Sequence, residues 1–322
     1  MTKTPTCFIS GVDGQDGSYM AELLLSKGYI VHGLIRRSVN NNPANIADIR
    51  HKLILHYGDL ETENHISRII ADVQPDLIFN LAGQSDVMAS FEIPEYTGNI
   101  TGLGVTRVLE AVRHFSPNSR VYQASSSEMF GGFPPPQNEE TPLRGRSPYA
   151  CAKIYAHNFV RNYRESYGLF CCSGIAFNHE SERRPVAFVT RKITNAVARI
   201  KLGKQHKLEL GNLEGSRDWG YAPDYVKGML MMLERDKPDD FVLGTGIGHT
   251  VRDFAKAAFD CVGLNYERYV EVNPRYVRPS ETYPLLANPA KANTVLGWKA
   301  ETTFEQLVKK MVDYDLKLEG GK

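Results

Sequence analysis

A loop of the form Gly-x-x-Gly-x-x-Gly, Gly11-Val-Asp-Gly14-Gln-Asp-Gly17, stands between the apolar run Cys7-Phe8-Ile9 and a segment of helical character over 16–27. A strand that turns into a helix at three glycines lets the backbone approach a ligand closely. The first N–H groups of such a helix have no partner within it and carry a partial positive charge, which suits a pyrophosphate.

The rest of the chain agrees with that opening. Short apolar runs at 7–9, 30–35, 53–56, 77–80, 121–124 and 171–177 alternate with helix-like segments at 16–27, 61–73, 95–115 and 148–167. This alternation predicts a Rossmann-type doubly wound parallel sheet with helices on both faces. Beyond 177 the rhythm becomes irregular, with helices near 188–202, 224–234 and from 304, and strands near 207–210 and 241–244. We expect a cofactor domain over 1–177, a smaller C-terminal α/β substrate domain over 178–322, and some later segments returning to the sheet.

Composition removes several classes of function. Thirty-eight basic and 37 acidic residues leave a formal charge of +1, so no global field favours nucleic acid or an anionic membrane. No apolar run approaches the length of a membrane span, and nothing before Cys7 resembles a signal segment. The five cysteines show no metal-ligand spacing and suggest reduced thiols in a cytoplasm. No metal is expected.

The end of the second strand bears on which dinucleotide binds. A carboxylate there would accept from a ribose 2′-hydroxyl, whereas arginines accommodate a 2′-phosphate; the chain has Arg36-Arg37-Ser38, which favours NADP. Asp59 and Leu60 follow the third strand, and Leu81, Ala82, Gln84 and Ser85 the fourth, at the carboxyl edge where open sheets bind ligands. With Gly11, Gly14, Gln15, Asp16, Gly17 and Tyr96 they complete the expected cofactor wall.

Tyr149 and Lys153 lie one turn apart on the helix predicted over 148–167. A phenol with a pKa of ~10 is a poor base at neutral pH, and a neighbouring ammonium lowers that value. Ser126, upstream at a strand end, could hydrogen-bond a sugar oxygen beside the phenol. Glu128 stands two residues further on, where an acid is costly to bury without a task.

Together these features resemble the extended short-chain dehydrogenase/reductase family of nucleotide-sugar enzymes. The resemblance narrows to the GDP-mannose 4,6-dehydratases on Gln123-Ala-Ser-Ser-Ser-Glu128-Met-Phe-Gly, Arg146-Ser-Pro-Tyr149, Phe177-Asn-His-Glu-Ser181, Phe188-Val-Thr-Arg-Lys192, Gly211-Asn-Leu and Arg217-Asp-Trp-Gly. It implies a lyase that forms GDP-4-keto-6-deoxymannose and water through internal hydride transfer from C4 to NADP+ and back to C6. Ser126, Glu128, Tyr149 and Lys153 are then the catalytic set: Tyr149 serves the 4-hydroxyl, and Glu128 the C5 proton and the departing 6-hydroxyl. It further implies that His179 and Arg184 lie near the cofactor, that Tyr149 and Lys153 also touch it, and that Ser85, Ser126, Glu128, Asn178, Lys192, Arg217, Arg278 and Glu281 bind the GDP-sugar. A homodimer or homotetramer is expected on the same ground.

The chain departs from that family's pattern at four places. Ser126 stands where threonine is common, Pro142-Leu-Arg-Gly-Arg146 and Glu182-Arg-Arg-Pro185 flank the expected sugar pocket, and Glu281-Thr-Tyr-Pro284 lies in the nucleotide region. These leave open dehydration of another GDP-sugar, such as GDP-manno-heptose or GDP-N-acetylglucosamine. A GDP-4-keto-6-deoxymannose reductase or epimerase needs the tyrosine, lysine and serine but not Glu128. A non-catalytic dinucleotide-sensing protein needs none of them.

Overall fold

The structure, a computed structural model, describes residues 4–36, 44–276, 280 and 282–321. Seven parallel strands form the main sheet: β1 (Thr6–Ser10), β2 (Ile30–Ile35), β3 (Ile54–Tyr57), β4 (Leu77–Asn80), β5 (Arg120–Ser126), β6 (Cys171–Ala176) and β10 (Phe241–Leu243), in the order β10-β6-β5-β4-β1-β2-β3. A parallel sheet is covered on both faces, so its strands are apolar throughout instead of alternating. All five residues of β1 are buried accordingly.

Helices α1 (Gln15–Ser26) and α8 (Ala222–Leu233) pack on one face of the sheet. On the other lie α2 (Glu63–Val73), α5 (Gly104–Phe115) and α6 (Pro148–Tyr167). In α2 the buried residues Ile66, Ile69 and Ile70 recur at the spacing that puts them on one helical face. Helix α6 begins where Ser147 accepts a hydrogen bond from the Ala150 N–H and Pro148 occupies the first turn, so Tyr149 enters the helix at a fixed angle.

The segment expected as one helix over 95–115 is broken into α4 (Pro94–Thr97), a π-helical turn (Gly98–Leu103) and α5. It follows α3 (Val87–Glu92). The wide turn brings the Thr101 hydroxyl within 3.1 Å of the Gln84 N–H, in the loop after β4. Local geometry at the sheet edge here overrides the uniform helical period.

The smaller lobe holds β7 (Asn178–Glu180), β9 (Ser216–Tyr221) and β11 (Gly248–Thr250) in one sheet, and β8 (Leu208–Leu210) with β12 (Val270–Val272) in another. Around them pack α7 (Val189–Lys201), α9 (Val251–Asp260) and α10 (Phe304–Gly320) over their own apolar core. A buried Arg191–Asp315 ion pair of 2.7 Å fastens α7 to α10. Among the described residues no helix is long and apolar enough to cross a membrane, and no cluster of side chains could hold a metal ion.

Candidate active site

Strand order reverses between β1 and β4, and the crevice at the carboxyl ends of those strands opens into a cavity of about 800 Å³. The cavity runs from Gly11, Gly14 and Gly17 past Ser126, Glu128 and Tyr149 to Lys192, Leu210, Gly211 and Tyr276.

At its first end Gly11 has φ +69°, and a Cβ there would lie 3.0 Å from the Ala82 Cα. A Cβ on Gly17 would come within 2.1 Å of the Gly11 carbonyl oxygen. Only glycine permits this crossing of loop and helix. Gly14 caps α1 with no side-chain hydrogen bond, so the helix's leading N–H groups keep the open donor geometry of a phosphate cradle.

A buried chain of polar side chains, not foreseen from the sequence, holds the neighbouring strand ends. The Ser10 hydroxyl donates to Asn80 Oδ1 at 2.6 Å and accepts from the Leu81 and Ala82 N–H groups. Asn80 Nδ2 donates to Gln123 Oε1 at 2.7 Å. One hydrogen-bond line therefore crosses β1, β4 and β5 at the carboxyl edge. Its signal was present: each of those three apolar runs ends in or near a Ser, Asn or Gln.

Arg36 lies on the cavity wall and donates to the Tyr96 hydroxyl at 3.1 Å, while Arg37 lies outside the described residues. Asp59, Leu60, Leu81, Ala82, Gln84 and Ser85 all line the cavity. Gln15 and Asp16 line it too, but their side chains are engaged by the protein: Gln15 Nε2 donates to the His179 carbonyl and to Asp16, and Asp16 accepts from His179 Nε2 at 2.8 Å.

The four expected catalytic residues meet on one wall. Ser126, the last residue of β5, accepts from the Glu128 N–H at 3.2 Å, which folds the chain into a short 3-10 turn over Ser127–Phe130. Glu128 is buried, with Arg217 Nη2 at 3.9 Å. Lys153 Nζ donates to the Ala124 carbonyl at 2.7 Å and stands 5.7 Å from the centre of the Tyr149 ring.

The electrostatics correct one expectation. The Tyr149 phenol is not lowered by the lysine: burial pushes it up to about 12, against a hydrogen bond from Ser126, with the Glu128 charge raising it further. Burial also pulls Lys153 down to about 8, opposed by the Asp16 charge. At both groups desolvation outweighs the neighbouring groups that oppose it.

Asn178 faces the cavity with a buried Oδ1 that has no hydrogen-bond partner among the described residues. Arg184 pairs with Glu180 at 3.1 Å and lies over the Phe188 ring, and Lys192 lies 3.4 Å from the centre of the Tyr276 ring. Arg217 does not line the cavity; it sits behind Glu128 and donates to the Ser216 carbonyl at 2.8 Å. Arg278 and Glu281 lie outside the described residues. In the unusual run Glu182–Pro185, Arg184 and Pro185 line the cavity, whereas Arg183 turns to α1 and bonds Glu22 at 2.6 Å.

A family model described as GDP-mannose 4,6 dehydratase matches residues 8–311. The chain belongs to the GDP-mannose 4,6-dehydratase family. It is 53% identical to GDP-mannose 4,6 dehydratase 2 of Arabidopsis thaliana, the match covering 96% of this chain and 86% of the relative. It is 48% identical to the GDP-mannose 4,6-dehydratase of Sinorhizobium fredii, covering 98% of each. Among solved structures, a UDP-glucose 4-epimerase of Thermotoga maritima superposes with a TM-score of 0.88 at 23% identity, covering 98% of this chain and 99% of that one. At that identity the likeness speaks for the fold, which the dehydratase family shares with epimerases.

Proposed function

We propose that the chain is an NADP-dependent hydro-lyase that converts GDP-mannose to GDP-4-keto-6-deoxymannose and water. Family membership supports the reaction. The observation that carries it to particular residues is the buried Glu128 carboxylate beside Ser126 and Tyr149 on a single cavity wall.

The glycine cradle and the uncapped start of α1 fit a dinucleotide diphosphate, and Arg36 beside Tyr96 fits the 2′-phosphate of NADP. When bound, NADP supplies the hydride acceptor for C4 and the hydride donor for C6. Tyr149 in its phenolate form, which the positive charge of a bound nicotinamide would favour against burial, takes the proton of the sugar 4-hydroxyl, and Ser126 holds the same oxygen by hydrogen bonding. A 4-ketone acidifies the C5 proton; Glu128 removes that proton and delivers it to the 6-hydroxyl, which leaves as water, and the proton taken from the 4-hydroxyl is returned to C5 as hydride returns to C6, so the proton balance closes within the site. Lys153, anchored on the Ala124 carbonyl, fixes the floor under Tyr149. Asn178 offers its unpartnered oxygen to a sugar hydroxyl, Lys192 offers charge to the GDP end, and Arg184, beside Asp16 and His179, offers charge on the cofactor side. Arg278 and Glu281 belong to the same proposed set, Arg217 backs Glu128 from behind the cavity wall, and assembly into a homodimer or homotetramer, which sedimentation would test, is proposed with them.

A reductase or epimerase has no C5 proton and C6 hydroxyl to remove together, so Glu128 favours the dehydratase. Purified protein mixed with GDP-mannose should give a product lighter by one water with no net change in NADPH absorbance. Glu128→Gln should bind NADP normally and lose about 10²-fold to 10⁴-fold in turnover. Steady NADPH consumption, or undiminished elimination by Glu128→Gln, would reject this reading.

A further inference from the structure

His179 stands at the start of the smaller lobe, yet both its ring nitrogens are engaged across the cleft floor. Nδ1 is 2.7 Å from the Phe177 carbonyl oxygen and Nε2 is 2.8 Å from Asp16 Oδ2. A carbonyl and an ionised carboxylate are acceptors only, so with Asp16 ionised both nitrogens carry hydrogen and the ring is an imidazolium. Its face stacks on the Tyr225 ring at 4.7 Å, an arrangement that suits a cation. The charged groups facing it are Asp16 from α1 and Arg184 from the loop after β7. Burial lowers the His179 pKa, but Asp16 and the Phe177 carbonyl more than offset this, and the net direction is upward. Burial raises Asp16, and His179 more than offsets that.

Asp16 poses a problem for its own location. It lies in the first turn of α1, the turn whose free N–H groups would face a phosphate, and an uncompensated carboxylate there would repel the anion. We propose that His179 serves the cofactor only through Asp16: its positive charge cancels that carboxylate, and the pair locks α1 to the 178–184 segment so that phosphate cradle and sugar wall stay in register. With both N–H groups committed, the ring has no donor left for the cofactor itself, so the His179 side chain acts as a positioning group.

Two further ties join the same elements. The Ser181 hydroxyl donates to Gln15 Oε1 at 2.9 Å, and Arg183 reaches Ser18 and Glu22 while lying 3.9 Å from the centre of the Tyr19 ring.

The proposal rests on the reading that the start of α1 receives the dinucleotide phosphates, and the test separates the two. NADPH dissociation constants are measured by fluorescence for the wild-type protein, His179→Gln, Asp16→Asn and the double variant. The single His179→Gln change, which removes the charge paired with Asp16 and leaves only Gln15 and Arg184 against it, should weaken NADPH by about tenfold or more, and the double variant should return to within about threefold of wild type by removing the carboxylate charge as well. A double variant as weak as His179→Gln would mean that His179 touches the cofactor directly, and would overturn the proposal; so would wild-type affinity in His179→Gln. Absence of NADPH and NADH binding by the wild-type protein would instead reject the cofactor reading itself. Should His179→Gln fail to fold, nitrogen NMR of the wild-type His179 ring decides: protons on both nitrogens at pH 7 are expected, and a neutral tautomer would sink the idea.

Discussion

Lys153 shows what the cavity costs the fold. Its ammonium has one carbonyl partner, Ala124, and burial pulls its pKa from an ordinary 10.5 to about 8. A fall of that size corresponds to about 3 kcal/mol of unfavourable burial while the group is charged. Because the folded value lies below the unfolded one, the penalty is fully present below about pH 8 and fades as pH rises toward 10.5. Lys153→Met keeps the volume and removes the charge, so it should raise stability by about 1–3 kcal/mol at pH 7 while turnover collapses. Urea denaturation at pH 7 and pH 9.5 checks both parts; a gain that did not shrink at the higher pH would refute the explanation. The sequence displayed the Tyr149-to-Lys153 spacing plainly. It could not display the burial that raises the phenol instead of lowering it, because burial depends on which strands close over the helix.

Strands and helices meet at buried ion pairs that no local pattern announces. Asp240, just before β10, accepts from Arg164 of α6 at 2.9 and 2.7 Å and from the Ser173 N–H of β6 at 2.7 Å. Burial raises its pKa, but the Arg164 hydrogen bonds and charge outweigh that and leave it below 3.8. The stabilisation is therefore complete above the unfolded carboxylate value and is lost as pH falls through the lower folded one. Asp240→Asn should cost about 3 kcal/mol near pH 6, with the difference from wild type closing in acid. Denaturation midpoints across that range would show it, and a pH-independent difference would contradict it. The long elements were legible: 30–35, 77–80 and 148–167 were expected over the same residues as β2, β4 and α6, because buried parallel strands and an amphipathic helix leave long signals. Among the three-residue strands, β8 and β10 were legible from Leu208 with Leu210 and from Phe241–Leu243, whereas β7 and β11, Asn-His-Glu and Gly-His-Thr, carry no aliphatic or benzenoid side chain to mark them; β12 and the short helix α3 were not expected either. Helix α9 was missed although its capping box, Thr250 with Asp253, stands in the sequence.

Over the whole molecule, we propose that the division at residue 177 is one of binding role only, and we expect it to fail as a division into folding units. β10 lies beyond that point and pairs with β6 as the seventh strand of the main sheet. The core on the α1 face is completed by Tyr225, Met229 and Leu233 of α8, by Phe241 and Leu243 of β10, and by Trp298, whose Nε1 donates to the Asp224 carbonyl at 2.8 Å. Arg120, where β5 begins, donates to the Leu233 carbonyl at 2.7 Å. A chain ending at 177 would uncover α1, β1 and β6 on that face and leave the β6 edge unpaired, a large apolar surface with open backbone groups. It should keep part of its helical far-UV signal, lose near-UV structure and bind a hydrophobic dye. A cooperative unfolding transition in that fragment, with NADPH binding retained, would show that the sheet needs nothing from the later segments. The return of the chain through α8 and β10 also holds the cavity wall from both halves of the sequence: β6, which leads into Asn178, pairs on one side with β5, which carries Ser126, and on the other with β10.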